Sequence, residues 1–262
     1  MTTETRSTAW QAFRAILWRD IFVTGKEVGV FVAQVALQPF FMLFIFAKVL
    51  GAGGYVAADY GQLLLPGIVG LTAFLTALQT VSFPLIMEFS FTKEIEDRLL
   101  APLPVGMVAI EKMVVAVLRG LVAAAIMFPV GAWVLGDAPW NPAGLGLLVV
   151  AVLLGCWLGA AMGLSMGTLV PPNRISVMFA VILTPLMFTG AVQYPWSSLE
   201  SLPWFQIVTL FNPLTYLAEA VRGAVVPEVP HIDPLISVAA MMLTALVFSW
   251  IGIRGFLRRA VG

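Results

Sequence analysis

Residues 143–170 read AGLGLLVVAVLLGCWLGAAMGLSMGTLV, without one charged side chain. A helix needs about 20 apolar residues to cross a hydrocarbon core about 30 Å thick, so this stretch predicts a transmembrane helix. Five further apolar stretches lie at 28–47, 63–87, 113–135, 175–191 and 234–253. Only the stretch 113–135 contains a charged residue, Arg119.

The composition is typical of an integral membrane protein. Apolar residues make up 60% of the 262 residues, and the mean hydropathy is +0.98. Six such stretches in succession argue against buried core helices of a soluble protein. We therefore predict an all-α membrane protein with six transmembrane helices in a single domain over residues 1–262. The net charge is zero, which offers nothing to bind nucleic acid, and the lone Cys156 allows no internal disulfide.

The placement of Lys and Arg predicts the orientation. With six spans, eleven of these residues fall on the side of the two termini, and only Lys48 and Arg222 fall on the other. Because cytoplasmic loops carry the excess of Lys and Arg, both termini are predicted to be cytoplasmic. The N-terminus lacks the apolar core and cleavage site of a secretory signal, so we expect it to be retained.

The segment 9–21 precedes the first span and has apolar residues at helical spacing, namely Trp10, Phe13, Leu17 and Ile21. This pattern predicts an amphipathic helix on the cytoplasmic membrane surface. A short soluble leader helix is the alternative.

A second short helix is predicted inside the cytoplasmic link between spans two and three. It occupies 92–104, with Thr92 as the capping residue and Pro102 and Pro104 at its end. One side carries Glu94, Glu96, Asp97 and Arg98, and the other carries apolar residues that include Leu99 and Leu100. A helix of this kind suits a groove on a partner protein, whereas rest on the lipid surface is the alternative.

Arg119 lies about two turns inside the third span, where a charge is costly unless it is paired. Glu88 stands near the cytoplasmic end of the second span. We predict that these two residues form an ion pair; the alternative is that Arg119 reaches the inner headgroups alone.

The fourth span carries a strip of small residues at every fourth position. Such strips let membrane helices approach closely. The sequence leaves open whether the partner helix belongs to the same chain or to a second subunit. The glycines of the strip are Gly155, Gly159, Gly163 and Gly167.

The outer segment 192–233 is too apolar for an exposed loop, so we predict two short helices that dip into the outer leaflet without crossing it. Ser197 and Glu200 have the spacing of a capping box. In the second helix, Asn212 is the predicted N-cap, Pro213 the first residue and Gly223 the end. Glu219 and Arg222 are spaced as a local ion pair.

Several polar and aromatic residues within the spans are candidates to face a transport path. Their orientation does not follow from the sequence, and no site is predicted from them. They are Gln34, Gln38, Thr72 and Gln79, together with Phe40, Phe41, Phe44 and Phe46.

Two segments resemble the ABC-2 type transporter permeases. The first is LPWF at 202–205 followed by NPLTYLAEAVRG at 212–223, which is similar to the family's C-terminal outer signature. The second is EDRLLAPLPV at 96–105, similar to its coupling segment, although 89–93 lacks the usual Gly-Thr. The resemblance covers nearly the whole chain and is nearest to the drug-export branch typified by the daunorubicin exporter permease. The signature residues are Asn212, Pro213, Tyr216, Glu219, Arg222 and Gly223.

The resemblance implies a permease subunit of an ATP-driven exporter in the plasma (inner) membrane of a bacterium. Its partners would be two copies of a separate ABC ATPase, a second permease that is identical or paralogous, and membrane lipid. The helix at 92–104 would dock on the ATPase through the six residues from Glu94 to Leu100 named above. The chain has no G-x-x-x-x-G-K-[ST] motif, so ATP and Mg would bind the partner, and this chain would bind no cofactor or metal and catalyse no reaction itself.

Other functions remain open at this point. The substrate would be a hydrophobic or amphipathic drug, antibiotic or lipid, and a polysaccharide or lipo-oligosaccharide is the alternative. An ion channel, a secondary transporter or an intramembrane enzyme would need buried ionisable groups or broken helices that the spans do not clearly offer.

Overall fold

A computed structural model describes residues 3–26, 28–57, 59–89 and 104–261, and all regular secondary structure there is helical. The helix α2 continues through a π-helical segment, Phe44–Val49, and a last turn, Leu50–Ala52. Short 3-10 turns precede α5, α6 and α7. The main helices are α1 Thr3–Lys26, α2 Val28–Leu43, α3 Tyr60–Met87, α4 Val105–Leu135, α5 Leu145–Leu169, α6 Ile175–Thr189, α7 Pro203–Leu210, α8 Pro213–Val225 and α9 Pro234–Val261.

Within the described residues, five helical segments are long and apolar enough to cross a membrane. The predicted span 175–191 is the exception, because α6 has only 15 residues. At 1.5 Å per residue its length is about 22 Å, which is less than a hydrocarbon core of about 30 Å. The five long segments are Val28–Ala52, Tyr60–Met87, Val105–Leu135, Pro142–Leu169 and Pro234–Ala260.

The short helix α6 nevertheless joins the two ends of the bundle. Five residues separate it from the end of α5, where Gly167 accepts a hydrogen bond from Arg259 at the C-terminal end of α9. It leads to Val192, whose carbonyl packs against Gly67 in the second turn of α3, at the opposite end. The helix and the buried turn after it therefore together reach from one end of the bundle to the other, which the helix alone is too short to do. Six crossings stay a prediction, and α6 is the helix on which that number depends.

The core is organised around α3, which packs against α4, α5 and α8. The small-residue strip of α5 provides the closest approach. A Cβ at Gly159 or Gly163 would overlap the carbonyl oxygen of Phe74 or Leu78 on α3. Of the two alternatives for this strip, the structure shows packing within one chain. Backbone contact of this kind is what small residues permit in a membrane, where no hydrophobic effect drives helices together.

The first helix is longer than predicted, because α1 covers Thr3–Lys26 rather than 9–21. It packs against α4 and turns Phe13 inward, while Trp18 is 70% exposed. Trp10 stacks on Phe13 with 5.4 Å between ring centroids. The helix thus has a buried and an exposed side, and its position on the membrane surface stays a prediction.

Candidate functional site

A cavity of about 280 Å³ lies between α2, α3 and α4. It brings together the four polar residues that the sequence named without assigning a direction: Gln34 and Gln38 on α2, and Thr72 and Gln79 on α3. Two more threonines of α3, at 76 and 80, also line it. These two threonines are not among the residues predicted to face a path, although a threonine at every fourth position from 72 to 80 forms a polar line on one helix side.

The cavity has a deep wall and an open mouth. Ile68, Leu71 and Thr72 are buried and form the deep part of the α3 wall, whereas Gln34 and Gln38 are exposed. Of the four phenylalanines that the sequence offered as aromatic surface, at 40, 41, 44 and 46, none lines the cavity. Phe40 instead stacks on Phe44 and Trp133 and meets Phe41 edge-on, outside the cavity.

The aromatic walls of the cavity come from two other phenylalanines. Phe83 on α3 is 45% exposed and stacks on Phe179 of α6, with 4.4 Å between ring centroids and 3° between ring planes. Phe31 on α2 is buried, and its ring lies 4.9 Å below the guanidinium of Arg119. Arg119 is thus a lining residue whose positive charge is stabilised by contact with an aromatic face.

The base of the bundle holds a buried ion pair that the sequence did not predict. Glu88 follows α3 directly, and its carboxylate accepts a hydrogen bond from Lys112 of α4 at 2.8 Å. Both side chains are more than nine-tenths buried. The sequence does contain a signal for this pair: Glu88 and Lys112 have opposite charges, lie on either side of the proline-rich segment, and are each next to an apolar span. The predicted pair of Glu88 with Arg119 stays a prediction.

A second contact at the base connects the end of α3 to the C-terminal helix. Phe89 packs edge-on against Phe256, with centroids 5.6 Å apart, and the guanidinium of Arg259 lies 4.8 Å from the Phe89 ring. Arg259 also donates to the carbonyl of Gly167 at 3.1 Å. The ends of α3, α5 and α9 at the base of the bundle are therefore joined.

The outer signature builds a cap over the opposite end. Asn212 is the N-cap of α8, since its side-chain oxygen accepts from the backbone N–H of Leu214 at 2.9 Å, and Pro213 is the first helical residue. The Asn212 amide also donates to the carbonyl of Leu186 at 2.7 Å. Tyr216 donates to the carbonyl of Leu210 at 2.9 Å. These side chains satisfy backbone groups at helix ends, which is a structural role.

Glu219 and Arg222 form an ion pair in which both side chains are completely buried. The Glu219 carboxylate accepts from the backbone N–H groups of Trp196 at 3.0 Å and Ile232 at 3.1 Å, and Arg222 donates to the carbonyl of Ala191 at 3.1 Å. Burial lowers the pKa of Arg222, and the charge of Glu219 opposes that shift. The pair thus ties α8 to the two turns that flank the cap.

Two details predicted for the outer segment are wrong. Residues 196–201 form a 3-10 turn without a side-chain cap, and the Ser197 hydroxyl donates instead to the carbonyl of Pro230 at 3.2 Å. The helix α8 ends at Val225 rather than at Gly223. Gly223 is needed for space, because a Cβ there would lie 2.5 Å from the His231 ring.

The outer segment also contains three short helical pieces instead of two. They are the 3-10 turn Trp196–Ser201, α7 and α8. The turn is stabilised by the Ser198 hydroxyl, which donates to the carbonyl of Pro195 at 2.7 Å. The capping pattern at Ser197 and Glu200 predicted the start of an α-helix, but the residues form a 3-10 turn, which is tighter.

The six residues predicted to dock on an ATPase lie outside the described residues, as does most of the segment 92–104. The glycines of the α5 strip lie in the packed core, with Gly155 against Leu217 of α8 and Gly167 against Leu85 of α3. In the part of the chain that the structure describes, no group of three or more His, Cys, Asp or Glu side chains is arranged to hold a metal ion.

Comparisons with known proteins point in one direction. The family model described as ABC-2 type transporter matches residues 11–226. The inner membrane transport permease YadH of Escherichia coli (strain K12) is 26% identical over 182 residues, which is 68% of either chain. YadH proteins of Escherichia coli O157:H7 and Shigella flexneri match to the same extent.

Proposed function

Because this chain belongs to the ABC-2 type transporter family, as a multi-pass inner-membrane transport permease, we propose that it is the membrane half of an ATP-driven exporter. Its substrate is a hydrophobic or amphipathic molecule such as a drug, an antibiotic or a lipid. The observation that carries this proposal is the cavity between α2, α3 and α4, which combines amide and hydroxyl groups with aromatic walls.

The depth of the cavity supports a role in transport. Gln34 and Gln38 lie about 9 and 15 Å from the first residue of α2, well inside a hydrocarbon core about 30 Å thick. Polar side chains at that depth face a protein interior or a water-filled cavity rather than lipid. A permease needs such a place for the polar part of a substrate.

The energy source is a separate subunit, since family membership implies an ABC ATPase partner in general. We propose two ATPases, with ATP and Mg bound to them, and two permeases that are identical or paralogous. The residues that contact the ATPase in this proposal are Glu94, Glu96, Asp97, Arg98, Leu99 and Leu100. The excess of Lys and Arg on that side supports cytoplasmic termini.

The contacts at the base support a path for the motion. The segment that would meet the ATPase runs from the end of α3 to the start of α4. The ion pair of Glu88 and Lys112 joins these two helix ends. The contact of Phe89 with Arg259 joins the end of α3 to α9. A displacement of the segment would therefore move α3 and α4 together rather than bend one of them.

The experiment is purification of the tagged chain from its native cells in mild detergent, with native mass measurement and mass spectrometry of bound proteins. We expect one ATP-binding subunit per permease and ATP hydrolysis by the complex. The number of permease species distinguishes an identical pair from a paralogous one. A preparation that contains no ATPase, even after crosslinking, would overturn the proposal.

A matched pair of variants tests the docking role. Glu96→Lys with Asp97→Lys reverses charge in the proposed contact, and we expect the ATPase to be lost while the permease is still purified. Glu228→Lys reverses an exposed charge in the outer segment and serves as the control. Equal ATPase recovery from both variants would place the docking surface elsewhere.

A further inference from the structure

We propose that the cavity between α2, α3 and α4 binds an uncharged, hydrogen-bonding head group, such as the hydroxyls or ethers of a glycosylated amphiphile. This inference rests on the proposed export function and assigns a substrate class to its site. The apolar body of the substrate would lie against the aromatic residues at the mouth.

The glutamines of α2 make the first argument. Gln34 and Gln38 stand one turn apart on the same side of the helix, and both are exposed. An amide that faces hydrocarbon loses its hydrogen bonds to water, which is costly. Their position on the cavity wall gives these amides a partner when a ligand with donors and acceptors is bound.

The opposite wall adds a hydroxyl that needs a partner. Thr72 is 5% exposed, and among the described residues its hydroxyl has no hydrogen-bond partner. Other hydroxyls in these helices bond to the carbonyl four residues earlier, as Ser165 does at 3.0 Å and Thr168 at 2.8 Å. Leaving a buried donor unsatisfied is costly, which a ligand hydroxyl or ether would relieve.

Thr72 is not the only buried hydroxyl of this kind, so its position is what matters. Ser82 and Ser237 also lack a partner among the described residues, but neither lines the cavity. Thr72 does line it, in the same line as the threonines at 76 and 80 and facing two glutamines. These polar groups extend about 12 Å along α3.

The chemistry of these groups selects the head group. Glutamine amides and threonine hydroxyls each both donate and accept hydrogen bonds, and none of them carries a charge. The charged residue of the lining, Arg119, has its guanidinium over the Phe31 ring, 4.9 Å from the ring centroid, and so already contacts an aromatic face. A polyhydroxylated or ether-rich group matches such a wall on both counts. A site built to hydrogen-bond hydroxyls discriminates strongly against analogues that lack them, because its own buried groups are then left unpaired.

The size of the cavity indicates that only part of the substrate enters. Its volume of about 280 Å³ is just below the roughly 300–1,000 Å³ of small-molecule sites. Phe83, which is 45% exposed and held by stacking on Phe179, offers an ordered aromatic surface at the mouth. The apolar body of an amphiphile therefore has a place outside the polar part.

The test uses the purified full-length chain in lipid nanodiscs and four photoreactive probes with the same octyl chain. Their head groups are glucoside, phosphate, trimethylammonium and hydrogen. Crosslinked peptides are located and quantified by mass spectrometry, with unlabelled octyl glucoside as competitor. We expect the glucoside probe to label peptides of α2 and α3 at least tenfold more than the other three.

Variants connect the labelling to the proposed groups. Gln34→Leu with Gln38→Leu should weaken glucoside labelling by roughly 25-fold, because each neutral hydrogen bond lost weakens binding about fivefold. Thr72→Val should weaken it about fivefold. Gln62→Leu changes an exposed glutamine of α3 that does not line the cavity, and it should have no effect.

Three results would overturn the inference: equal labelling by all four probes, preference for any head group other than the glucoside, and unchanged glucoside labelling in the double variant. Because the ATPase is absent from this test, the two proposals fail separately. A chain that purifies with its ATPase but shows no head-group preference contradicts only the substrate class. Selective labelling of a chain that never binds an ATPase contradicts only the exporter.

Discussion

The two sides of α3 differ sharply, although they belong to one helix. Toward α5 and α8 it packs closely through glycines, with Phe74 against Gly159 of α5 and Gly70 against Leu217 of α8. Toward α2 it presents a line of threonines beside an open cavity. The packed side has no room for one added methyl group at Gly159. The cavity side instead has polar groups, and one of them, the Thr72 hydroxyl, has no hydrogen-bond partner among the described residues. Rigidity and binding are thus divided between opposite sides of the same helix.

The largest effect is expected on the packed side. Gly159→Leu should prevent recovery of folded protein, because the side chain would overlap backbone of α3 that cannot move aside. Overpacking a core costs about 1–3 kcal/mol and occasionally more. Fluorescence-detected gel filtration with a melting curve measures this. Gly146→Leu, on the same helix, is the control, since nothing lies within 4 Å of a Cβ there. Similar melting of both variants would contradict the contrast.

The next effect concerns the cap that closes the packed side. Glu219→Gln removes the charge that pairs with the completely buried Arg222. Loss of one partner of a buried ion pair costs about 3–5 kcal/mol, so we expect a much lower melting temperature. Glu228→Gln, at an exposed position of the same segment, is the control. Equal melting of the two variants would mean that the cap does not stabilise the bundle.

A smaller effect is expected at the base of α3, where the packed and open sides meet. Double-mutant cycles on the melting free energy compare Glu88→Gln with Lys112→Gln and with Arg119→Gln. Contacting residues couple by about 0.5–3 kcal/mol, so the cycle with Lys112, at 2.8 Å, should show a clear interaction energy. If the cycle with Arg119 alone shows coupling, the ion pair predicted from the sequence is the dominant one.

The smallest effect on stability is expected on the cavity side. Gln34→Leu with Gln38→Leu should leave the melting temperature unchanged or raise it slightly, since exposed amides in a membrane span gain nothing from lipid. Export by the reconstituted complex should fall in parallel. Gln62→Leu should alter neither property. A large loss of stability in the double variant would show that the glutamines belong to the fold rather than to the binding surface.

Local features were predicted well from the sequence. The long apolar runs became helices, and Asn212 with Pro213 begins α8 as their types require. Each of these depends on residues within one or two turns, where hydropathy, capping and proline geometry act directly. The capping box at Ser197 failed for a local reason as well, because Pro195 and the hydroxyl of Ser198 favour a 3-10 turn there.

Features that depend on rotation about a helix axis were open or wrong. The glycine strip had two possible partners, and Gly223 was read as a helix end although it makes room for the His231 ring. Lys112 was counted as a cytoplasmic charge and not as a partner of Glu88. In each case the sequence does not tell which neighbouring residues a given side of the helix contacts.

The sequence by itself thus determined that this chain is all-helical and apolar enough to cross a membrane, and that Asn212 begins α8, because hydropathy and capping are properties of short stretches. Only the tertiary structure decided that α5 packs its glycines on α3, and that the glutamines of α2 and the threonines of α3 face one cavity. Those facts depend on how helices are rotated and paired, and contacts between residues far apart in the chain set that rotation.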